Sequence, residues 1–261
     1  MVLSLLAGIV LLLLLIMTAR ALMQDQSGTA VGQEVKTIEA QGAIEVLRSA
    51  VQCKTISHQD PTQTDWNEFT QLKKIFAQSF PLCETFRIAS GAGPYNMVYC
   101  FPGENPEALP ILLTAHLDVV GAQEQAWTHP PFSGTVEDGY LYGRGSFDCK
   151  IQAVAILTSF ESLLADGKKP SRTCYVAFGC DEECNGSPMG ASTIASYFEK
   201  QSLQFAYVLD EGGVVSQRYI KGFEQDIAVV GVAEKGYMDV QLSAQCSAGH
   251  SSTPSFPTAL G

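Results

Sequence analysis

The run "ILLTAHLDVV" (111–120) ends an apolar stretch in a histidine and an aspartate two residues apart. Side chains alternate along a strand, so His116 and Asp118 can share one face where such a strand leaves its sheet. The pair could be a metal-binding imidazole whose other ring nitrogen is held by a carboxylate, or simply a strand fraying into a polar loop. The junction recurs, however. "TCYVAFG" runs into "CDEECNG", which carries Asp181, Glu182 and Glu183, and "FAYVL" runs into "DEGG", which carries Asp210 and Glu211. Asp148, in "YGRGSFDCK", stands just before a helical pattern. Open α/β sheets place ligands outside the carboxyl ends of their strands. Carboxylates gathered there without a cation would raise one another's pKa, and a bound divalent metal removes that repulsion.

The elements that must position these groups are legible in the hydrophobic pattern. Helical spacing is expected around Ile38, Ile44, Leu47 and Val51, and again after Asp65, with Glu68 completing a capping box. Phe69, Leu72, Ile75 and Phe76 form the apolar face of that second helix. Strands are expected at Glu84–Ala89, Tyr95–Phe101, Ile111–Ala115, Thr173–Gly179 and Phe205–Leu209. Helices are expected at Lys150–Ala165, closed by Gly167, and at Ser187–Lys200. Continuous apolar strands alternating with helices point to an α/β fold, a mostly parallel sheet with helices on both faces. In "YMDVQLSA" apolar Met238, Val240, Leu242 and Ala244 alternate with polar residues, so a strand with one wet face is expected, with a domain boundary near Ala233.

With 261 residues there is ample length for a core. A net charge of -11 speaks against nucleic-acid binding, which wants a basic stripe. "VLSLLAGIVLLLLLIM" at the N-terminus lies between a signal-peptide core and a membrane anchor. Either implies export, and an anchor would add the membrane as a partner. The eight cysteines form no C-x-x-C pair and are expected mostly as small buried residues.

The motifs "AHLDVV", "PPFSGTVEDGYLYGRGSFDCK", "DEE", "LDEGG" and "EKGYMDVQLSAQCSAGHSSTP" together resemble the M20 metallopeptidases, within them the carboxypeptidase S and N-fatty-acyl-amino-acid synthase/hydrolase branch. The resemblance runs from about Ile44 to Gly261. With the apolar run read as a signal or anchor over 1–23 and the polar stretch after it as a linker over 24–43, it implies a di-zinc catalytic domain over 44–232 and the beginning of an α+β lid or dimerisation domain over 233–261. It further implies two zinc ions per complete site, hydrolysis of an amide bond next to a free carboxylate, and a possible homodimer. His116, Asp148 and Asp210 would hold one ion, and Asp148 would bridge to a second bound by Glu183. Asp118 would orient His116, Glu182 would act as general base, and His250 would stabilise the oxyanion. A cis peptide at Asp148–Cys149 is implied as well. His58 and His129 belong to no implied ligand set.

Two departures stand out. A final histidine ligand and a substrate-gripping arginine have no counterpart up to Gly261, so these residues alone are expected to hold one zinc better than two and to turn over little substrate. Cys149 and Cys184 follow Asp148 and Glu183 directly, where sulfur could bind zinc, and both are expected to point away. A non-catalytic module that keeps the fold is the alternative, and the presence of Glu182 speaks against it. Calcium is disfavoured by His116, since calcium prefers oxygen ligands.

Overall fold

The computed structural model describes residues 2–23, 42–184, 188–213, 215–218, 221–222, 224–233, 236, 238 and 240–245. Helix α1 (Val2–Met23) carries the aliphatic run. Among the described residues no helix is long and apolar enough to cross a membrane, so the expected span is not supported there.

The body begins with α2 (Ala43–Gln52), α3 (Trp66–Ser79) and the short α4 (Pro81–Glu84). Asp65 caps α3 by accepting the Asn67 N–H at 3.0 Å. Glu68 does not close the expected capping box, because its carboxylate instead accepts the Lys54 N–H at 2.8 Å. The strand expected at Glu84–Ala89 is reduced to an isolated bridge between Arg87 and Tyr99, since Pro81 starts a helical turn across its beginning.

Strands β1 (Met97–Phe101), β2 (Ile111–His116), β5 (Cys174–Gly179) and β6 (Val208–Leu209) form one sheet in the order β1-β5-β2-β6. β2 runs parallel to both neighbours, and β1 is antiparallel to β5. Two hairpins lie outside it, β3 (Thr135–Glu137) with β4 (Tyr140–Tyr142), and β7 (Val215–Gln217) with β8 (Asp226–Ala228). Helix α5 (Lys150–Ala165) covers one face of the sheet, and α6 (Ala191–Lys200) lies on the other.

Alternation along the strands divides the core as the pleat requires. Met97, Tyr99, Phe101, Val176 and Phe178 face α2, α3 and α5, whereas Val98, Leu112 and Ala177 face Ile194 and Phe198 of α6. Beside α6 a groove of about 520 Å³ remains open over Leu112 and Ala177, and it reaches His116 and Glu182. Met238, Val240 and Leu242, expected in a strand, form none and are 79%, 66% and 91% exposed. A strand needs a neighbour to take its N–H and C=O groups, and among the described residues none lies beside them. The seven cysteines described are all free, and all but Cys100 are buried.

Candidate metal centre

His116 is the last residue of β2, where the parallel register with β5 ends at His116–Gly179. The side chain is 3% exposed. Its Nε2 lies 2.8 Å from Asp148 Oδ1, 3.7 Å from Glu211 Oε1 and 3.9 Å from Glu182 Oε2. Its Nδ1 lies 2.9 Å from the Asp118 carbonyl oxygen and 3.3 Å from Asp118 Oδ1. One ring edge is thus held by Asp118 while the other faces a ring of acids.

Each acid arrives on its own segment. Asp148 precedes α5 on a turn through Gly145, whose φ of 80° only glycine adopts without strain. The Asp148–Cys149 peptide is cis, as the resemblance implies. Glu182 and Glu183 follow β5 on a loop tied to Asp118, whose carboxylate accepts their backbone N–H groups at 3.1 and 3.0 Å. Asp118 is fully buried and also accepts the Ser57 hydroxyl at 2.6 Å. Ser57 comes from the segment after α2, which is fixed beside the end of β2 by the Val119 N–H to Thr55 carbonyl bond and the Thr55 hydroxyl to Leu117 carbonyl bond.

Among the described residues, two groups have the spacing to hold a cation. The atoms of His116, Asp148, Cys149 and Glu211 lie within 4.8 Å of one another, as do those of His116, Glu182 and Glu183. His116, Asp148, Glu182 and Glu183 therefore meet as the sequence leads one to expect. Asp210 lies just outside, accepting the Thr114 hydroxyl at 2.6 Å and the Glu211 N–H at 2.9 Å, and it is Glu211 that reaches His116. Cys149 does not point away. It is buried, and its sulfur accepts the His116 backbone N–H at 3.1 Å. Cys184 is buried outside both groups, and His250 lies outside the described residues. His129 pairs with Glu137 at 3.1 Å, away from the centre. Ser57 had no signal of its own in the sequence, and Glu211 was marked only as one of the two acids that follow the Phe205–Leu209 run.

The electrostatics ask for positive charge. Burial, and then the neighbouring acids, raise the pKa values of Glu182, Glu183 and Glu211, with His116 opposing. Burial alone would lower the His116 pKa, yet hydrogen bonds to Asp118 and Cys149 outweigh it and carry the value well above the ordinary 6.5. Burial likewise works to raise Asp118, but the bonds from His116 and Ser57 win and lower it. His116 and the acids around it thus leave a place for positive charge. With nitrogen, oxygen and sulfur donors converging, a divalent ion fits the same place.

The sequence of residues 112–243 matches the model of peptidase family M20/M25/M40. The chain is 37% identical over 231 residues to the N-fatty-acyl-amino acid synthase/hydrolase PM20D1 of Xenopus tropicalis, covering 87% of this chain and 44% of that protein. It is 34% identical over 233 residues to carboxypeptidase S of Saccharomyces cerevisiae, covering 84% and 39%. The chain thus spans less than half the length of these relatives. In fold it is similar to human carnosine dipeptidase 1, with a TM-score of 0.55 at 18% identity over 68% of this chain and 40% of that one.

Proposed function

The chain belongs to peptidase family M20, and from that premise we propose that it serves in zinc-dependent hydrolysis of an amide bond next to a free carboxylate, in a peptide C-terminus or an N-acyl amino acid. The observation that carries the reading is the approach of His116 Nε2 to Asp148 at 2.8 Å, with Glu182, Glu183 and Glu211 drawn in around them. His116, Asp148 and the Asp210–Glu211 pair would hold one ion, and Asp148 with Glu183 would hold another. When bound, zinc would polarise the substrate carbonyl and lower the pKa of a water molecule.

The remaining work falls to the chain's own residues. Asp118 keeps the imidazole turned towards the ligand position. Glu182 takes a proton from the attacking water and returns it to the leaving amine. Its side chain is 56% exposed, open enough to reach substrate, and its raised pKa moves it towards the range in which one carboxyl can both accept and donate. Glu183 stays with the metal, so the two adjacent glutamates divide the labour. His250 is assigned to the oxyanion, in a lid or dimerisation domain beginning near residue 233. The apolar N-terminal run supports export, with the leader either removed or kept.

Zinc analysis combined with hydrolysis assays on N-acyl amino acids and peptides, before and after chelation, tests the proposal. Chelation should abolish turnover, and added zinc should restore it. Tight zinc binding with no hydrolysis of either substrate class would point instead to a non-catalytic module.

A further inference from the structure

Cys149 has no role in the two-zinc arrangement, yet its sulfur joins the group around His116. The sulfur, the His116 ring nitrogen and carboxylate oxygens of Asp148 and Glu211 lie within 4.8 Å of one another. Ligands of a tetrahedral zinc stand roughly 3.3–3.8 Å apart, given bonds of about 2.0–2.3 Å. Closing the group therefore takes only a small inward movement, and the exposed carboxylates can supply it. Asp148 has a side chain 61% exposed and Glu211 one 29% exposed, whereas Cys149 is 2% exposed. An arriving ion meets carboxylates at the mouth and sulfur at the base.

The backbone already treats the sulfur as an acceptor. The His116 N–H donates to it at 3.1 Å, while the thiol itself reaches the His116 carbonyl at 3.6 Å. The other described cysteines belong to neither cation-holding group. Cys53 and Cys83 give their thiols to the Ser49 and Leu157 carbonyls.

Resting on the metal reading above, we propose that Cys149 ligates the ion at the His116 position directly, making a histidine, carboxylate and thiolate site that favours soft divalent ions. Binding forms a metal–sulfur bond and releases the thiol proton to solvent. The ion keeps its oxidation state, so no redox partner is needed. Soft sulfur selects zinc and cadmium over manganese, magnesium and calcium.

Cobalt(II) loaded into the metal-free chain is the probe. Visible d–d bands report the bound ion, and a near-ultraviolet sulfur-to-cobalt charge-transfer band appears only when a thiolate binds it. We expect both in the wild type. Cys149→Ser should lose the charge-transfer band and keep the d–d bands, and Cys184→Ser should keep both. Cadmium affinity should fall about tenfold or more in Cys149→Ser, with manganese affinity changing far less. Cobalt bound in the wild type without the charge-transfer band overturns the proposal and leaves the metal reading intact, and this outcome needs no variant to fold. A band that persists in Cys149→Ser overturns it too. Equilibrium dialysis finding no bound cobalt overturns the metal reading and the thiolate ligand with it.

Discussion

The Ser57 hydroxyl donates to Asp118 at 2.6 Å, joining the segment after α2 to a carboxylate that also holds the loop carrying Glu182 and Glu183. A hydrogen bond to a buried charge is worth about 1.5–3 kcal/mol. Losing a group that orients a metal ligand's partner typically costs ~10–100-fold in metal affinity or activity. Ser57→Ala should therefore weaken zinc binding by about tenfold and lower kcat with little change in KM. Ser57→Thr, which keeps the hydroxyl, should restore most of both. Zinc titration against a chelating dye and steady-state kinetics would check this.

The adjacent glutamates should separate cleanly. Glu182→Gln keeps the shape and loses the basicity, so turnover should fall by about 10²-fold or more while zinc content stays nearly unchanged. Asp148→Ala removes the carboxylate nearest His116 and should lose metal. Zinc analysis of the two purified variants decides it, and loss of zinc in Glu182→Gln would reverse the roles assigned to Glu182 and Glu183.

A similar comparison sorts the loop after β6. Glu211 reaches His116, whereas Asp210 is engaged by Thr114. If the metal is taken in the arrangement described, Glu211→Gln should weaken its binding more than Asp210→Asn. The reverse order would mean that the ion draws Asp210 away from Thr114. Isothermal titration with zinc distinguishes the two.

Stability should fall in alkali through a buried thiol. Burial pushes the Cys53 pKa from 9.0 up to about 11. An acid whose folded pKa lies above its unfolded one contributes stability that is complete below pH 9 and lost as the pH rises towards 11, here on the order of 2–3 kcal/mol. Lys150 acts in the opposite sense over part of this window, because burial lowers its pKa from 10.5 to about 8, so its contribution grows with pH. The contrast between wild type and Cys53→Ala isolates the thiol. Urea unfolding from pH 8 to 11 should show a shallower decline in Cys53→Ala.

How much of this was legible in the sequence depended on where each interaction partner lies. Helix Lys150–Ala165 and the strands ending at His116 and Gly179 follow closely from local pattern, since apolar runs and turn residues are enough to bound them. Among the described residues around Met238 no strand is formed, because alternation marks a possible strand and only pairing makes one. At the centre, residue type placed His116, Asp148, Glu182 and Glu183 at one sheet edge. It could not aim the side chains. Whether Asp210 or Glu211 reaches His116, and whether Cys149 turns in or out, is settled by loop backbone that no periodicity encodes. Ser57 was invisible for another reason: its partner Asp118 is distant in sequence, and serine before a polar loop is commonplace.

The Nζ of Lys150 donates to the carbonyls of Ala50 and Cys53 at 2.9 and 2.8 Å, with the residue fully buried. The end of α2 is thereby locked onto the start of α5, immediately beside Asp148. No acylating reagent can meet this amine while the two helices stay together, whereas the exposed lysines react at once. Its modification rate, followed by peptide mass spectrometry, becomes a clock for the opening of the structure beneath the metal centre, and a bound ion that holds Asp148 in place should slow it.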